Sequence, residues 1–220
     1  MQWGRKSAIA IAVVAFFVSS VTNYAQAADH RTVGMATNVV SPAEVQNEPA
    51  AVGTLAHMND ELRTGAKARL QVSFRDKTEL TLGENARVVV DRFVFDPDAG
   101  TGEALINTGV GAFRLATGAI SRMKNKEISV KTPFATIGVR GTGFWWGPID
   151  GQFGVLLLTH SKLEVRNDAG SVLIYKAGYG TEIDGLKGSS GAPSPPHQWS
   201  PDKVARAPEC STPKPRPSTL

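Results

Sequence analysis

The sequence has a single cysteine, Cys210, and it lies near the C-terminus of the 220-residue chain. One cysteine excludes an internal disulfide, and we interpret Cys210 as incidental, with an intermolecular disulfide as the alternative. The four histidines follow no HExxH or paired-cysteine spacing, so we predict no metal site and no cofactor. A GxSxG nucleophile motif and a GxGxxG loop are also missing. We therefore expect no catalytic residues and a protein that is not an enzyme.

Long apolar runs are also scarce, and the longest lies at the N-terminus. Arg5 and Lys6 precede an apolar run over residues 8–18, and Ala25-Gln26-Ala27 follows it. A basic start, a short apolar run and a small-residue cleavage site are typical of a secretory signal, whereas a membrane-spanning helix needs about 20 apolar residues. We predict a signal peptide over residues 1–27 and a periplasmic or secreted protein. An uncleaved signal that anchors the chain is the alternative.

Charge of one sign does not dominate either. The chain has 24 basic and 20 acidic residues, for a formal net charge of +4. The basic residues are interspersed with acidic ones, as where Arg75 and Lys77 flank Asp76. A nucleic-acid-binding protein would concentrate Lys and Arg on one face, so we expect no nucleic-acid partner.

Composition divides the rest of the chain into three parts. Residues 28–52 show no sustained periodicity and are predicted to be a lead-in segment. Residues 53–184 are predicted to be the folded domain. Residues 185–220 are rich in proline, glycine and serine, which predicts a disordered tail. Trp199 is the one large apolar residue of that tail, and we interpret it either as a docking point or as a residue without a role.

The central domain is dominated by β-strand patterns. Apolar residues alternate with polar ones from Ala68 to Phe74, which is the period of a strand with one buried face. Residues 152–159 are apolar on both sides, which predicts a strand covered on both faces. Many short strands with glycine-rich turns predict a single all-β domain, either β-solenoid-like or a twisted β-sandwich. A weak internal repeat favours the solenoid, because a glycine precedes an arginine by four positions at Gly65, Gly83 and Gly118.

The segment TPFATIGVRGT concentrates residues of special backbone geometry. Pro133 removes a backbone donor and ends the preceding strand, and glycine accepts positive φ or close backbone approach. The Arg140 guanidinium can gather carbonyls or a carboxylate, so Arg140→Ala is expected to cost about 1–3 kcal/mol. We interpret the segment as a structural corner, with a ligand site as the alternative. Its members are Thr132, Pro133, Thr136, Gly138, Arg140, Gly141 and Thr142.

Three aromatic residues, Phe144, Trp145 and Trp146, follow this corner. Adjacent residues of a strand point to opposite faces, so we expect at most one of the two tryptophans to enter the core. The other is predicted to lie at an edge or in a partner-binding patch, where aromatic residues are favoured. In the alternative, Trp145 or Trp146 covers an open end of the core.

These motifs resemble the FecR-type domain of bacterial envelope signalling proteins. The resemblance covers residues 60–184 and depends on four stretches: LRTGAKARLQVSFRDKTELTLGENA at 62–86, GAFRLATGAI at 111–120, TPFATIGVRGTGF at 132–144 and GSVLIYKAGYGTEI at 170–183. It implies a protein-interaction module. In the best-known members, the domain relays the occupancy of an iron-siderophore transporter to a sigma factor through a membrane helix and a cytoplasmic region.

The plan of this chain differs from that of those members. It starts with an export signal instead of a cytoplasmic segment and ends in a predicted disordered tail, so we do not expect it to control a sigma factor directly. The leading hypothesis is an exported, non-catalytic interaction or signalling module that binds another envelope protein. The alternative is a module that binds glycan or peptidoglycan through an exposed Trp145 or Trp146. An exported hydrolase would need an acidic or nucleophilic cluster that the sequence does not display.

Overall fold

The computed structural model describes residues 31–141, 143–159, 161–185 and 191–209, and within them the chain is nearly all β. The predicted signal peptide lies outside these residues. A 3₁₀ helix covers Ala119–Arg122, and one α-helix, α1, covers Pro201–Glu209. The strands are β1 Thr32–Val40, β2 Ala43–Val45, β3 Glu48–Pro49, β4 Leu55–His57, β5 Glu61–Thr64, β6 Arg69–Phe74, β7 Glu79–Leu82, β8 Arg87–Asp96, β9 Thr101–Thr108, β10 Phe113–Ala116, β11 Asn125–Lys131, β12 Thr136–Arg140, β13 Phe144–Ile149, β14 Gln152–Leu157, β15 Lys162–Asn167, β16 Gly170–Ile174, β17 Tyr179–Ile183 and β18 His197–Gln198.

The strands form two sheets of nine strands each. Sheet A has the order β4-β1-β6-β7-β10-β13-β14-β17-β18, and sheet B has the order β3-β2-β5-β8-β9-β11-β12-β15-β16. From β5 onwards, later strands are added at the same end of both sheets. Strands β9 and β11 are parallel because β10, which lies between them in sequence, belongs to the other sheet. The all-β prediction is confirmed, and the two packed sheets correspond to the sandwich alternative.

The main core lies between the two sheets and is built by strand alternation. In β6, Leu70, Val72 and Phe74 are buried while the residues between them are only half-buried. A second apolar cluster, which we call the outer cluster, consists of Ala112, Trp145, Ile149, Leu156, Trp199 and Ala207. Leu156 alternates in β14 with Val155 and Leu157 of the main core, so the outer cluster lies on the opposite face of sheet A. The prediction of a strand covered on both faces at 152–159 therefore holds for β14.

The predicted lead-in segment is part of the sandwich over residues 32–49. Strand β1 pairs with β4 and β6 in sheet A, and β2 pairs with β5 in sheet B. The pairing register of β1 shifts between Thr32 and Gly34 and again between Ala36 and Asn38. A shift of one residue interrupts the period of two, which is why this strand shows no sustained alternation in the sequence.

The predicted disordered tail is likewise corrected over residues 191–209, which we call the cover segment. It contains β18 and α1, and Trp199 within it is only 2% exposed. The segment is poor in apolar residues and gains its order from the surface of sheet A, which a compositional argument does not include. Residues 186–190 and 210–220, with Cys210, lie outside the described residues.

The turn between β6 and β7 contains a buried carboxylate, Asp76, which is 1% exposed. Its carboxylate accepts three hydrogen bonds: from the backbone N–H of Thr78 at 2.9 Å, from the Thr78 hydroxyl at 2.8 Å and from the backbone N–H of Ile120 at 3.2 Å. The Thr78 hydroxyl also accepts the N–H of Gly118 at 2.8 Å. A Cβ on Gly118 would lie 2.1 Å from the Asp76 carbonyl oxygen, so this approach requires glycine. Asp76 thus fixes the 3₁₀ helix where the chain leaves sheet A for sheet B.

We expect Asp76→Ala to lower the free energy of unfolding by about 3 kcal/mol, because each buried N–H that loses its acceptor costs about 1–3 kcal/mol. Urea denaturation measures the change. Asp98→Ala, which removes an exposed carboxylate from the turn after β8, is the matched control and is expected to have little effect. Equal destabilisation by the two substitutions would contradict the role of Asp76.

Candidate functional site

The hairpin between β11 and β12 contains the first part of the predicted corner. The Thr132 hydroxyl accepts the backbone N–H groups of Phe134 at 3.1 Å and Ala135 at 3.0 Å, and it donates to the Ala135 carbonyl at 2.8 Å. Pro133 is exposed within this turn, and Thr136 is half-buried at the start of β12. The Thr132 hydroxyl therefore satisfies backbone groups that the sheet ladder leaves free.

Arg140 does not gather backbone carbonyls or a carboxylate, which corrects the sequence prediction. It is exposed, and its guanidinium makes no hydrogen bond or ion pair with the residues that the structure describes. The reason is strand parity: Ile137 and Val139 of β12 face the core, so Arg140 faces solvent.

The two glycines beside Arg140 have different roles. Gly141 has φ +142°, and a Cβ there would lie 2.1 Å from the Cβ of Ser161, so only glycine fits. Its carbonyl also accepts a hydrogen bond from the Thr117 hydroxyl. Gly138 has ordinary backbone geometry, and an added Cβ would come no closer than 3.8 Å to Glu164. Thr142 lies outside the described residues.

The aromatic triplet is buried throughout, since Phe144 and Trp146 are 0% exposed and Trp145 is 1% exposed. Trp146 lies in the main core between Phe113 and Phe144, with ring centroids 5.2 Å and 4.9 Å away, and its Nε1–H donates to the Thr108 hydroxyl at 3.4 Å. Trp145 points to the opposite face and belongs to the outer cluster. Only Trp146 enters the main core, as expected for adjacent residues of a strand. Trp145 does not lie at an exposed edge, because sheet A is covered on its outer face as well as its inner one, and a partner-binding role of these residues stays a prediction.

The outer face of sheet A around Trp145 forms a site for a polypeptide segment, and the cover segment occupies it. Trp145, Leu156 and Gly180 are register partners across β13, β14 and β17. The Trp199 ring lies over Gly154 and Gly180, where an added Cβ would come within 2.8 Å and 2.5 Å of the indole. These glycines leave a gap beside Leu156 that the Trp199 ring fills, and the Trp145 and Trp199 rings meet edge to face at 6.2 Å.

Polar contacts attach the same segment to β17. Strand β18 pairs with β17, and the Ser194 hydroxyl accepts the Glu182 N–H at 3.0 Å and donates to the Glu182 carboxylate at 3.1 Å. The Thr181 hydroxyl donates to the Ser194 carbonyl at 2.7 Å. Glu182 is 6% exposed, and Lys203 Nζ neutralises it at 2.8 Å. The Lys203 ammonium also lies 4.5 Å from the centre of the Trp199 ring.

A more exposed ion pair joins helix α1 to Asp150 of the turn after β13. The Arg206 guanidinium donates two hydrogen bonds to the Asp150 carboxylate, at 2.6 Å and 3.1 Å, and Lys203 lies 3.6 Å from the same carboxylate. The hydrogen bond from Arg206 lowers the pKa of Asp150 below its ordinary value of 3.8. Desolvation opposes this shift, and the positive charges of Arg206 and Lys203 add to it. The same hydrogen bond raises the pKa of Arg206.

Two donors in the outer cluster have no partner. The Nε1–H groups of Trp145 and Trp199 are buried and meet no acceptor among the described residues. A buried donor without an acceptor costs about 1–3 kcal/mol. The cover segment therefore fills the apolar gap, but neither indole N–H donates a hydrogen bond to a described residue.

Most of these residues could not be found from the sequence. Gly154 and Asp150 lie outside the motifs of the sequence, and Gly180 and Glu182 lie in the motif at 170–183, which does not indicate that a distant segment binds there. The pairing of β14, β17 and β18 and the contacts of α1 bring the four residues together. The signals that were present are the two-sided apolar pattern of β14 and the isolated Trp199.

The described residues contain no group of three or more His, Cys, Asp or Glu side chains that could hold a metal ion. Over the same ranges, we find no helix with the length and apolar character to span a membrane. The tryptophans at 145, 146 and 199 are all buried. None of these three rings is free to stack on a sugar, so the exposed surface required for the glycan-binding alternative is not found at these positions.

Residues 60–172, just over half of the chain, match the family model for the FecR protein. Two crystal structures of a "putative anti-sigma factor" from Parabacteroides distasonis ATCC 8503, at 2.50 Å and 1.65 Å resolution, are similar in fold. Their TM-scores are 0.51 and 0.50 at 18% and 17% identity, and each match covers 66% of this chain and 62% of that chain. At this identity the likeness concerns the fold alone. No curated protein matches the sequence.

Three substitutions separate the roles within the corner. We expect Gly141→Ala to lower the free energy of unfolding by about 1–3 kcal/mol or more, because its backbone conformation is essentially restricted to glycine. Gly138→Ala is the matched control and is expected to be neutral or stabilising by up to about 1 kcal/mol. Arg140→Ala should stay within about 0.5 kcal/mol of the wild type, as exposed substitutions do. Urea denaturation of all three variants measures these changes, and a large loss with Arg140→Ala would mean that its guanidinium has a structural partner.

The attachment of α1 should weaken in acid. Because the pKa of Asp150 is lowered in the folded state, its contribution to the attachment is fully present above the ordinary value of 3.8 and is lost as the pH falls through the lowered pKa. The NMR signal of the Trp199 indole N–H, followed from pH 6 down to about pH 2, should report increasing exposure. Asp150→Asn should remove this acid-dependent step, and an identical titration in wild type and variant would show that the ion pair does not hold the segment.

Proposed function

Because this chain belongs to the FecR protein family, we propose that it is a non-catalytic protein-interaction and signalling module of the bacterial cell envelope. The observation that carries the proposal is the family match over residues 60–172. The two-sheet fold supports it, since a protein named as an anti-sigma factor has a similar fold. In this proposal the chain binds another envelope protein and performs no chemistry on it.

The location rests on the N-terminal sequence. Arg5 and Lys6, the apolar run at 8–18 and Ala25-Gln26-Ala27 form the pattern of an export signal. We infer that residues 1–27 direct the chain to the periplasm or the exterior and are then removed. The partner is accordingly a protein of that compartment.

Cell fractionation combined with in-cell cross-linking tests the proposal. The full chain is expected in the periplasmic or secreted fraction, cross-linked to a defined envelope protein. Changing Val13 and Val14 together to Asp places two charges in the apolar run and should keep the chain in the cytoplasm, without the cross-linked product. Val52→Asp makes the same change at a position that is 69% exposed and should leave export intact.

Two results would overturn the proposal. The first is a wild-type chain that stays in the cytoplasm. The second is an exported chain that sediments with purified peptidoglycan and gives no protein cross-link, which would favour a glycan-binding role.

A further inference from the structure

The cover segment is bound to sheet A in the way that proteins bind extended peptides. It adds a short strand to the edge of β17, inserts the Trp199 ring into a gap and places two basic side chains on two carboxylates. Strand addition supplies backbone hydrogen bonds, while the gap and the charges select side chains. The outer face of sheet A therefore has the features of a peptide-binding surface.

The charges on this face determine which segment it fits. Glu182 is almost fully buried and Asp150 lies beside it, both within reach of Lys203. A buried carboxylate needs a cation nearby, so an acidic or uncharged segment would cover Glu182 without a counterion. The gap over Gly154 and Gly180 is flat and holds an indole ring. A suitable ligand thus pairs with β17 as a short strand, carries an aromatic residue and presents two cations, which the cover segment does from helix α1.

The bound segment does not use everything that this face offers. The Nε1–H of Trp145 is buried without an acceptor among the described residues, and the Trp145 ring packs against Trp199 of the bound segment. The cover segment contributes only Trp199 and Ala207 to the outer cluster, with Val204 packing beside them. Its nine-residue helix is shorter than the about 12–15 residues that an isolated helix needs for stability in water. A ligand with an acceptor facing Trp145 would make an additional hydrogen bond.

We propose that the outer face of sheet A is the docking site for a segment of a partner protein that forms a short strand, carries an aromatic side chain and presents two cations, and that the cover segment occupies this site as an internal competitor. This rests on the proposed function, in which the partner is an envelope protein. The partner segment pairs with β17, places its aromatic ring over Gly154 and Gly180 and its cations on Glu182 and Asp150. Binding displaces the cover segment and changes the surface of the module, which couples partner binding to a conformational change.

The test uses the full chain and a fluorescein-labelled peptide with the sequence of residues 191–209, followed by fluorescence anisotropy. In the wild type the chain's own segment competes, so the peptide should bind weakly. In Trp199→Ala the competitor is weakened, and the apparent Kd should fall by about tenfold or more, since the fraction of binding-competent molecules rises. A peptide with Trp199→Phe should still bind, and a peptide with Trp199→Ala should not.

A second variant is needed in case Trp199→Ala does not fold. Changing Lys203 and Arg206 of the chain together to Glu keeps Trp199 but repels Glu182 and Asp150, and it should also strengthen binding of the unmodified peptide. The matched control changes Lys131 and Arg166, two exposed basic residues on sheet B, to Glu and should behave as the wild type. Circular dichroism verifies that each variant is folded.

Three outcomes would overturn the inference: no peptide binding to either folded variant, equal affinity for variants and wild type, or a wild-type dimer that Trp199→Ala dissociates. The last would mean that the occupant is the segment of a second copy. Failure here with a protein cross-link in the envelope would remove this inference and leave the proposed function standing. If the peptide binds as expected but no envelope protein is cross-linked, the cover segment would stand as a displaceable occupant of sheet A and the proposed function would be removed.

Discussion

The packing of two nine-stranded sheets against each other is the constraint on which the rest of this structure depends. Alternate residues of each strand must face the inner core, so a shift of one residue in the pairing of a strand would turn its apolar side chains to the opposite face. Because strands are added at the same end of both sheets, the chain crosses between the sheets repeatedly. Buried polar side chains hold these crossings: Asp76 fixes one, and the Thr64 hydroxyl, which donates to the Gly83 carbonyl at 2.6 Å and accepts the Ala86 N–H at 3.0 Å, fixes another.

The outer face of sheet A imposes a second requirement. Trp145 and Leu156 lie side by side on it, and without a cover they would form an exposed apolar patch of the kind that marks binding surfaces. The cover segment meets this requirement with one indole ring, a two-residue strand and ion pairs. The same chemistry makes the face selective, since Glu182 needs a cation and the glycine gap needs a flat ring. In the docking proposal, structural protection and partner recognition use the same surface.

Regular strands were predictable from the sequence, whereas irregular strands and the role of Arg140 were not. The buried faces of β6 and β14 agree with the sequence prediction, because successive side chains of a strand point to opposite faces and the apolar pattern therefore shows which faces are covered. Strand β1 was missed because two register shifts break that period. Arg140 looked structural because it stands between two glycines, yet strand parity turns it to solvent, and only Gly141 of that pair is sterically required.

The sequence by itself determined the all-β class, most of the inner core and the family resemblance, because these depend on the local alternation of side chains and on short contiguous motifs. Only the tertiary structure decided that Trp145 and Trp146 are both buried, in separate clusters, and that residues 191–209 fold back onto sheet A. Those outcomes depend on Gly154, Gly180, Glu182 and Trp199 meeting in space. Local periodicity carries no information about such contacts between distant segments, since they are fixed by the order in which strands are placed in the sheets.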